Sequence, residues 1–377
     1  MTMRPAFLSR TALVVFLASI SFFLVLPVVM YHANYPAPDG VYKIVPTNFA
    51  PYDFFHRVIF EEKGDIDVLI IGPSYSWNAL DAGIIKQALS EKLGREAVVY
   101  NFGSNWRGEN VYYYLLRDLT RNRNVKLFLF NPPKSFSRND PHPKSSYFML
   151  YGHDEVVQEM SFFRRLQAYA FVMLGTPRHL VSLLRDNRTT PASKYETDYD
   201  RLHPYRLEIR DKIAQNVEPH FGTQKVYSSI DGPFIAQEMI PPEFTAEQLL
   251  YSKATEGNYT FSGRSQGRLL EYQSTYIKHI FRIARNRGVA IATFHVPIYK
   301  FRKEKTMGEV VNWATHYPEF NLAMLGIPSS ELFKGLSEEQ LRNMYYDNHM
   351  NVNGAAYYTK ALLPGILALY DNATHQK

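Results

Sequence analysis

Asp67-Val68-Leu69-Ile70-Ile71-Gly72-Pro73-Ser74-Tyr75-Ser76 is the stretch that decides the fold. Its apolar run is short, continuous and closed by Gly72, the signature of a strand buried on both faces of a parallel sheet. Working outward, Ala82 to Leu93 carries Ile84, Ile85, Ala88, Leu89 and Leu93 on one helical face. Ala97-Val98-Val99-Tyr100 predicts a second strand ending near Gly103, a helix follows over about 109–120, and Val125 to Phe130 predicts a third strand. The rhythm resumes with a helix over about 265–287, a strand over Val289 to Phe294 and a fifth strand over Phe320 to Leu325. A closing helix from about Gly354 to Tyr370 is expected to bend or break at Pro364-Gly365. Alternating β and α elements predict an α/β fold, a three-layer α/β/α sandwich with a parallel sheet, split by a long insertion over about 137–260.

The chain has 377 residues, 46% hydrophobic and 21% charged, which suits a globular protein and argues against extensive disorder. Its 27 Tyr and 25 Phe are numerous; they suit carbohydrate grooves and membrane interfaces, and equally ordinary cores. The net charge of +6 comes from Lys and Arg spread along the chain without a dense basic run, which speaks against a nucleic-acid partner. With no cysteine, disulfides, thiolate catalysis and Cys-ligated metals are excluded.

Thr11 to Tyr31 is a stretch of 21 residues without a charge. As a helix it would span roughly 31 Å, the thickness of a bilayer's hydrocarbon core. Arg4 and Arg10 precede it and the next Lys or Arg is Lys43. The positive-inside rule then makes 1–10 a cytoplasmic N-terminus, 11–31 a transmembrane anchor and everything after it extracytoplasmic. A cleaved signal peptide is the alternative, but the run is long and lacks a small-x-small site. Residues 32–63, punctuated by Pro36, Pro38, Pro46 and Pro51, read as a tether, leaving 64–377 as the folded domain. Inside the insertion, Leu166 to Leu174 is too short to span a membrane. Flanked by Arg164-Arg165 and Arg178-His179, it fits a helix on a membrane or partner, or a helix buried in a cap.

Ser74 directly follows the first strand, where open α/β sheets collect their ligands and where amides opening the next helix favour an anion. Far along the chain, Tyr346-Asp347-Asn348-His349-Met350-Asn351-Val352-Asn353-Gly354 sets an acid two residues before a histidine, ahead of a helix. Such a loop brings an imidazole to a serine while the carboxylate fixes its tautomer; the plainer alternative is a helix cap with a solvated histidine. His142, His153, His203, His220, His295 and His316 show no metal-ligand spacing, and no metal or cofactor is expected. His295, after a strand, is a candidate to line the cleft, or a core or rim residue.

Taken together, these segments resemble the SGNH/GDSL hydrolase superfamily. Gly72-Pro73-Ser74-Tyr75-Ser76 looks like a diverged first block, Asn101-Phe102-Gly103-Ser104 is similar to the second, and Asn131 stands at the place of the third-block asparagine. The final motif resembles the family's Asp-x-x-His-Leu-Asn-x-x-Gly, with Met350 for leucine and one residue fewer between acid and base. The resemblance implies catalysis by Ser74, Asp347 and His349, with an oxyanion held by the amides of Ser74 and Gly103 and by Asn131. The Asp-x-His spacing is similar to AlgJ/AlgX-like alginate O-acetyltransferases, and the single anchor to these and to DltD-like proteins. That likeness implies a serine O-acyltransferase at the outer face of a bacterial cytoplasmic membrane. It would move an acyl group, acetyl or D-alanyl, onto a cell-envelope polysaccharide or teichoic acid, with an MBOAT-family partner. A periplasmic carbohydrate esterase, or a non-catalytic scaffold binding polymer or MBOAT, are the competing expectations.

Overall fold

The computed structural model describes residues 9–33, 38–45, 50, 52–104, 108–131, 145–149, 155–172, 175, 239–251, 271–297, 317–320, 322–346 and 349–375. Strand β1 (Ile66–Pro73) is buried along its whole length. It pairs in parallel with β2 (Val99–Ser104) and β3 (Val125–Phe130), Ile70 lying opposite both Asn101 and Leu129. β3 pairs in parallel with β5 (Ala290–Phe294), and β5 with β6 (Ala323–Leu325). β4 (Leu250–Tyr251) adds an antiparallel edge to β6, giving the order β2-β1-β3-β5-β6-β4. The five parallel strands thus follow a 2-1-3-4-5 winding, whose order reverses between β1 and β3.

Alternating side chains of each strand feed two separate cores. Leu69, Ile71, Phe128 and Phe130 join one layer; Val68, Ile70, Leu127 and Leu129 join the other. The first layer is closed by α2 (Pro38–Ile44), α3 (Tyr52–His56), α6 (Glu109–Asn122) and α11 (Glu271–Asn286). α7 (Ser145–Met149), α8 (Glu155–Gln158) and α9, over residues 162–172, join them. The second layer is closed by α5 (Ala82–Leu93), α10 (Ala246–Leu249), α12 (Ser329–Leu332) and the last helix, α14 (Val352–His375). Helices on both faces of a parallel sheet make the α/β architecture expected from the sequence.

Several boundaries differ from the sequence reading. Residues 32–63 are no simple tether: Val41, Tyr42, Tyr52, Phe54, Phe55 and Val58 are buried in the first core layer. Pro38 opens α2, the position where a ring-locked φ starts a helix rather than a linker. The folded body therefore includes residues from 38 onward, not from 64. The fifth strand is shorter than Phe320 to Leu325 because Pro318–Phe320 forms a 3-10 turn. α14 runs through Pro364 without interruption, and a Cβ on Gly365 would stand 2.5 Å from Leu325 Cδ1, so a larger residue there would require the Leu325 side chain to shift. Most of 137–260 lies outside the described residues.

At the N-terminus, α1 (Arg10–His32) covers the whole uncharged stretch and exposes Leu13, Val14, Val15, Phe16, Phe22 and Val25. The side chains of Phe23, Pro27, Val28, Met30 and Tyr31 lie outside the described set. Counted over described residues alone, no helix is long and apolar enough to cross a membrane.

The amino end of the sheet is tied by one buried carboxylate. Asp67 accepts hydrogen bonds from Arg95 (2.9 and 2.6 Å), the Val98 amide (2.9 Å), Lys126 (2.9 Å) and Tyr370 (2.7 Å). Burial alone would raise this carboxyl; the hydrogen bonds from Arg95, Val98, Lys126 and Tyr370 outweigh it and hold the group far below the usual carboxylate range. Since the folded state prefers the ionised form, Asp67 stabilises the fold above about pH 4, and the effect drains away as pH falls toward the depressed folded value. Asp67→Asn is expected to lower unfolding free energy by roughly 1–3 kcal/mol at pH 7, because Arg95 and Lys126 keep some contact with water. Urea titrations of the detergent-solubilised protein at pH 7 and pH 3 should show the gap from wild type shrinking at the lower pH.

Candidate active site

Ser74 opens α4 (Ser74–Ala79), immediately after β1, so it stands at the carboxyl edge of the sheet beside the β1/β3 reversal. Pro73 ends the strand in extended conformation, and no side chain caps the new helix. The first-turn amides therefore lack intrahelical partners at the serine. The helix turns back sharply because the register partners Gly72 and Gly103 have no side chains. A Cβ on Gly72 would meet Ser76 Oγ at 2.3 Å, and one on Gly103 would meet Trp77 Cβ at 2.2 Å.

His349 arrives from the other end of the sequence on a short hairpin. β7 (Tyr345–Tyr346) and β8 (His349–Met350) are antiparallel, with Tyr346 opposite His349. Its Nε2 lies 2.8 Å from Ser74 Oγ across 275 residues of sequence. The Tyr75 ring stacks on the imidazole, centroids 4.6 Å apart and planes within 9°. Ser74, Tyr75 and His349 are partly exposed, whereas Ser76 is fully buried, which separates the two serines of this block. Ser74, on these distances, is the one that a nitrogen base reaches.

The hairpin is fixed by the start of α14. Asn351 Oδ1 accepts from the amides of Asn353 (2.9 Å) and Gly354 (3.1 Å), an N-cap, while its Nδ2 donates to Asn343 O (2.8 Å). Its own amide donates to Met344 O at 2.9 Å. A Cβ on Gly354 would lie 2.2 Å from Met344 O, so this glycine permits the close approach. A second tie runs from the Asp81 amide to Thr359 Oγ1 at 2.9 Å, joining α14 to the α4–α5 turn.

The remaining expected site residues fare unequally. Asp347 lies outside the described residues. Asn131 is buried at the end of β3, its amide bonded to Ile71 O (3.1 Å) and its Nδ2 to Phe294 O (2.8 Å). One Nδ2 hydrogen is thereby used to hold the strand ends together, and the other is the one available for chemistry. Gly103 donates its amide to Asn101 Oδ1 at 3.0 Å, so an oxyanion would have to take that hydrogen from Asn101. The need for glycine there is met by Trp77 packing alone. His295 is buried, its amide on Leu325 O (3.0 Å) and its carbonyl accepting from Tyr358, a position inside the fold. His142, His153, His203, His220 and His316 lie outside the described residues. Among the described residues no cluster of three or more metal-ligating side chains occurs. Sequence reasoning assigns no separate role to Tyr75 or Asn351; an asparagine directly before a helix is the signal that could have found the cap, whereas no spacing marks the stacking of Tyr75.

Compared with known proteins, the chain matches no family model, no characterised protein and no solved structure.

Asn351→Ala is expected to cost roughly 1–2 kcal/mol, since it removes the cap of α14 and the support beneath the histidine hairpin. Denaturant midpoints should register the loss, with Asn351→Asp recovering much of it because the capping oxygen is kept.

Proposed function

We propose that the chain is an SGNH-type serine O-acyltransferase, anchored by residues 11–31 and acting on a cell-envelope polysaccharide or teichoic acid outside a bacterial cytoplasmic membrane. One observation carries the chemical part: Ser74 Oγ and His349 Nε2 are within 2.8 Å, at the sheet edge where the strand order reverses. The anchor is supported by the uncharged sequence from Thr11 to Tyr31 and by the exposed apolar side chains of α1.

In this reading His349 Nε2 takes the Ser74 proton as Oγ attacks the acyl carbonyl carbon of the donor. The resulting oxyanion is held by the Ser74 amide and the unused Asn131 Nδ2 hydrogen, with Gly103 joining if Asn101 yields its amide. The imidazolium returns the proton to the departing group, leaving acyl-Ser74. A sugar or polyol hydroxyl, deprotonated by His349, then attacks the ester and restores the serine. Tyr75, stacked on the imidazole, keeps its plane aimed at Ser74, and Asp347 would hold the other ring nitrogen. An MBOAT-family partner would deliver acyl groups from the cytoplasmic side.

The test uses full-length protein in detergent with a chromogenic acetyl ester and a serine-reactive phosphonate. Ser74→Ala and His349→Ala should each lower turnover by about 10³-fold or more, and the phosphonate should label Ser74. Equal turnover by wild type and Ser74→Ala, with Ser74 unlabelled, would exclude the catalytic reading. Polymer acylation in cells restored by Ser74→Ala would identify a scaffold. With a glycan present, acyl release mainly into water would identify an esterase.

A further inference from the structure

Helix α9 turns small side chains inward and large apolar ones outward. Ala168 and Val172 are buried in the first core layer, while Phe162, Phe163, Leu166 and Tyr169 are 65%, 79%, 56% and 47% exposed. Outside α1, the described residues expose only one other large hydrophobic side chain, Ile240. A helix on a water-facing surface does the reverse and buries its apolar stripe. Phe162 and Phe163 already meet edge to face, centroids 5.6 Å apart, so the outward patch is continuous. α9 itself carries Arg164 and Arg165 and no Asp or Glu, and the acids at its N-terminal end are already engaged, Glu159 with Arg282 and His279 and Glu271 with Ser161.

We infer that α9 lies in the surface of an anionic lipid bilayer. Its aromatic face sits at the boundary between headgroups and acyl chains, and the neighbouring arginines meet lipid phosphates. Aromatic and leucine side chains beside Arg164 and Arg165 are the composition that this boundary favours, since ring edges tolerate headgroups while the faces leave water. Among the described residues the other extended exposed apolar surface belongs to α1, and Leu26 of α1 packs against the same core layer that holds Ala168 and Val172. Anchor and α9 thus lie on one side of the sheet, so a bilayer reached by the first is within reach of the second. Two contacts fix the orientation of the body, where a single helix would leave it free to swivel. The inference is independent of the chemistry proposed for Ser74; it draws on that reading only for the bilayer that the anchor brings near.

The chain has no cysteine, so Phe163→Cys or Leu166→Cys in the full-length protein creates one attachment point for a nitroxide spin label. The labelled protein is reconstituted into vesicles of phosphatidylcholine with phosphatidylglycerol. Collisions with oxygen, which dissolves in lipid, are then compared with collisions with a water-soluble nickel chelate. Labels at both positions are expected to favour oxygen severalfold over a control label after Lys334→Cys, an exposed site beside the second core layer. In phosphatidylcholine alone the shielding from nickel should weaken. Nickel access at 163 and 166 matching that at 334 would overturn the inference. Low collision with both reagents would also overturn it, because it marks a site packed against protein, whether a partner, a second copy or the rest of this chain. Equal shielding without phosphatidylglycerol would overturn the anionic preference. A label after Val15→Cys reports the anchor separately, so failure at α9 is distinguishable from failure of the anchor.

Discussion

The arrangement at the sheet edge depends on two glycines lying side by side. Gly72 and Gly103 are register partners on β1 and β2, and any side chain on either would occupy space already held by Ser76 or Trp77 of α4. Their bareness lets the helix fold back directly over the strand ends. The turn is therefore sharp, Ser74 stands at its apex, and Trp77 seals the apolar layer beneath. A larger residue at either place would push α4 outward and carry Ser74 away from His349. Overpacking of this kind costs about 1–3 kcal/mol in a core, and here the displacement would reach the Ser74–His349 hydrogen bond as well.

The histidine depends on a different set of constraints, gathered at the far end of the chain. β7 and β8 together contribute only two ladder pairs, too few to hold a side chain rigidly. Their rigidity comes from Asn351, which satisfies the first amides of α14 and the carbonyl of Asn343 with one side chain. α14 is in turn pinned to the α4–α5 turn through Thr359 and Asp81, and to the opposite end of β1 through Tyr370 and Asp67. Ser74 and His349 are thus attached to the same helix-and-strand frame, although 275 residues separate them. Contacts so distant in sequence form only when most of the chain is ordered. An intact Ser74–His349 pair is therefore a property of the whole fold, not of either motif.

The elements legible in sequence were those whose pattern is set by a single physical demand. Val125–Phe130 and Ala82–Leu93 coincide with their sequence boundaries, because double-sided burial and a helical apolar stripe each leave a full-length trace. Ser74 and His349 were legible because position after a strand and position before a helix are both marked by small or capping residues. What escaped was set by tertiary contact. β4 is two residues long and has no period to read. The aromatic helices between residues 38 and 61 were hidden by a proline-rich sequence, in which Pro38 starts a helix instead of ending one. Gly103 illustrates a further ambiguity. A glycine after a strand reads as an oxyanion donor or as a packing necessity, and only the approach of Trp77 and the bond to Asn101 reveal how much packing asks of it.

Among the described residues, the tyrosine and phenylalanine that the sequence left divided between binding groove, membrane interface and core fall largely to the core. Tyr42, Tyr345, Tyr357 and Tyr370 are buried with their hydroxyls bonded inside the protein, to Asp118, Pro297 O, Leu332 O and Asp67. Burial raises the pKa of Tyr42 and Tyr345 well above the ordinary phenol value, so these hydroxyls stay protonated and act as fixed donors across the working pH range. Tyrosine is used here as a large apolar body with one directional bond, which fills the space between helices and sheet and also fixes their relative positions. With the aromatic supply spent inside, an outward-facing aromatic patch is not a statistical overflow of composition. The rings of α9 face out although the helix has an inward face, and that face is filled by alanine and valine. In an aqueous medium, exchanging the two sets would remove more apolar area from water. The observed orientation makes physical sense where the outer medium is not water.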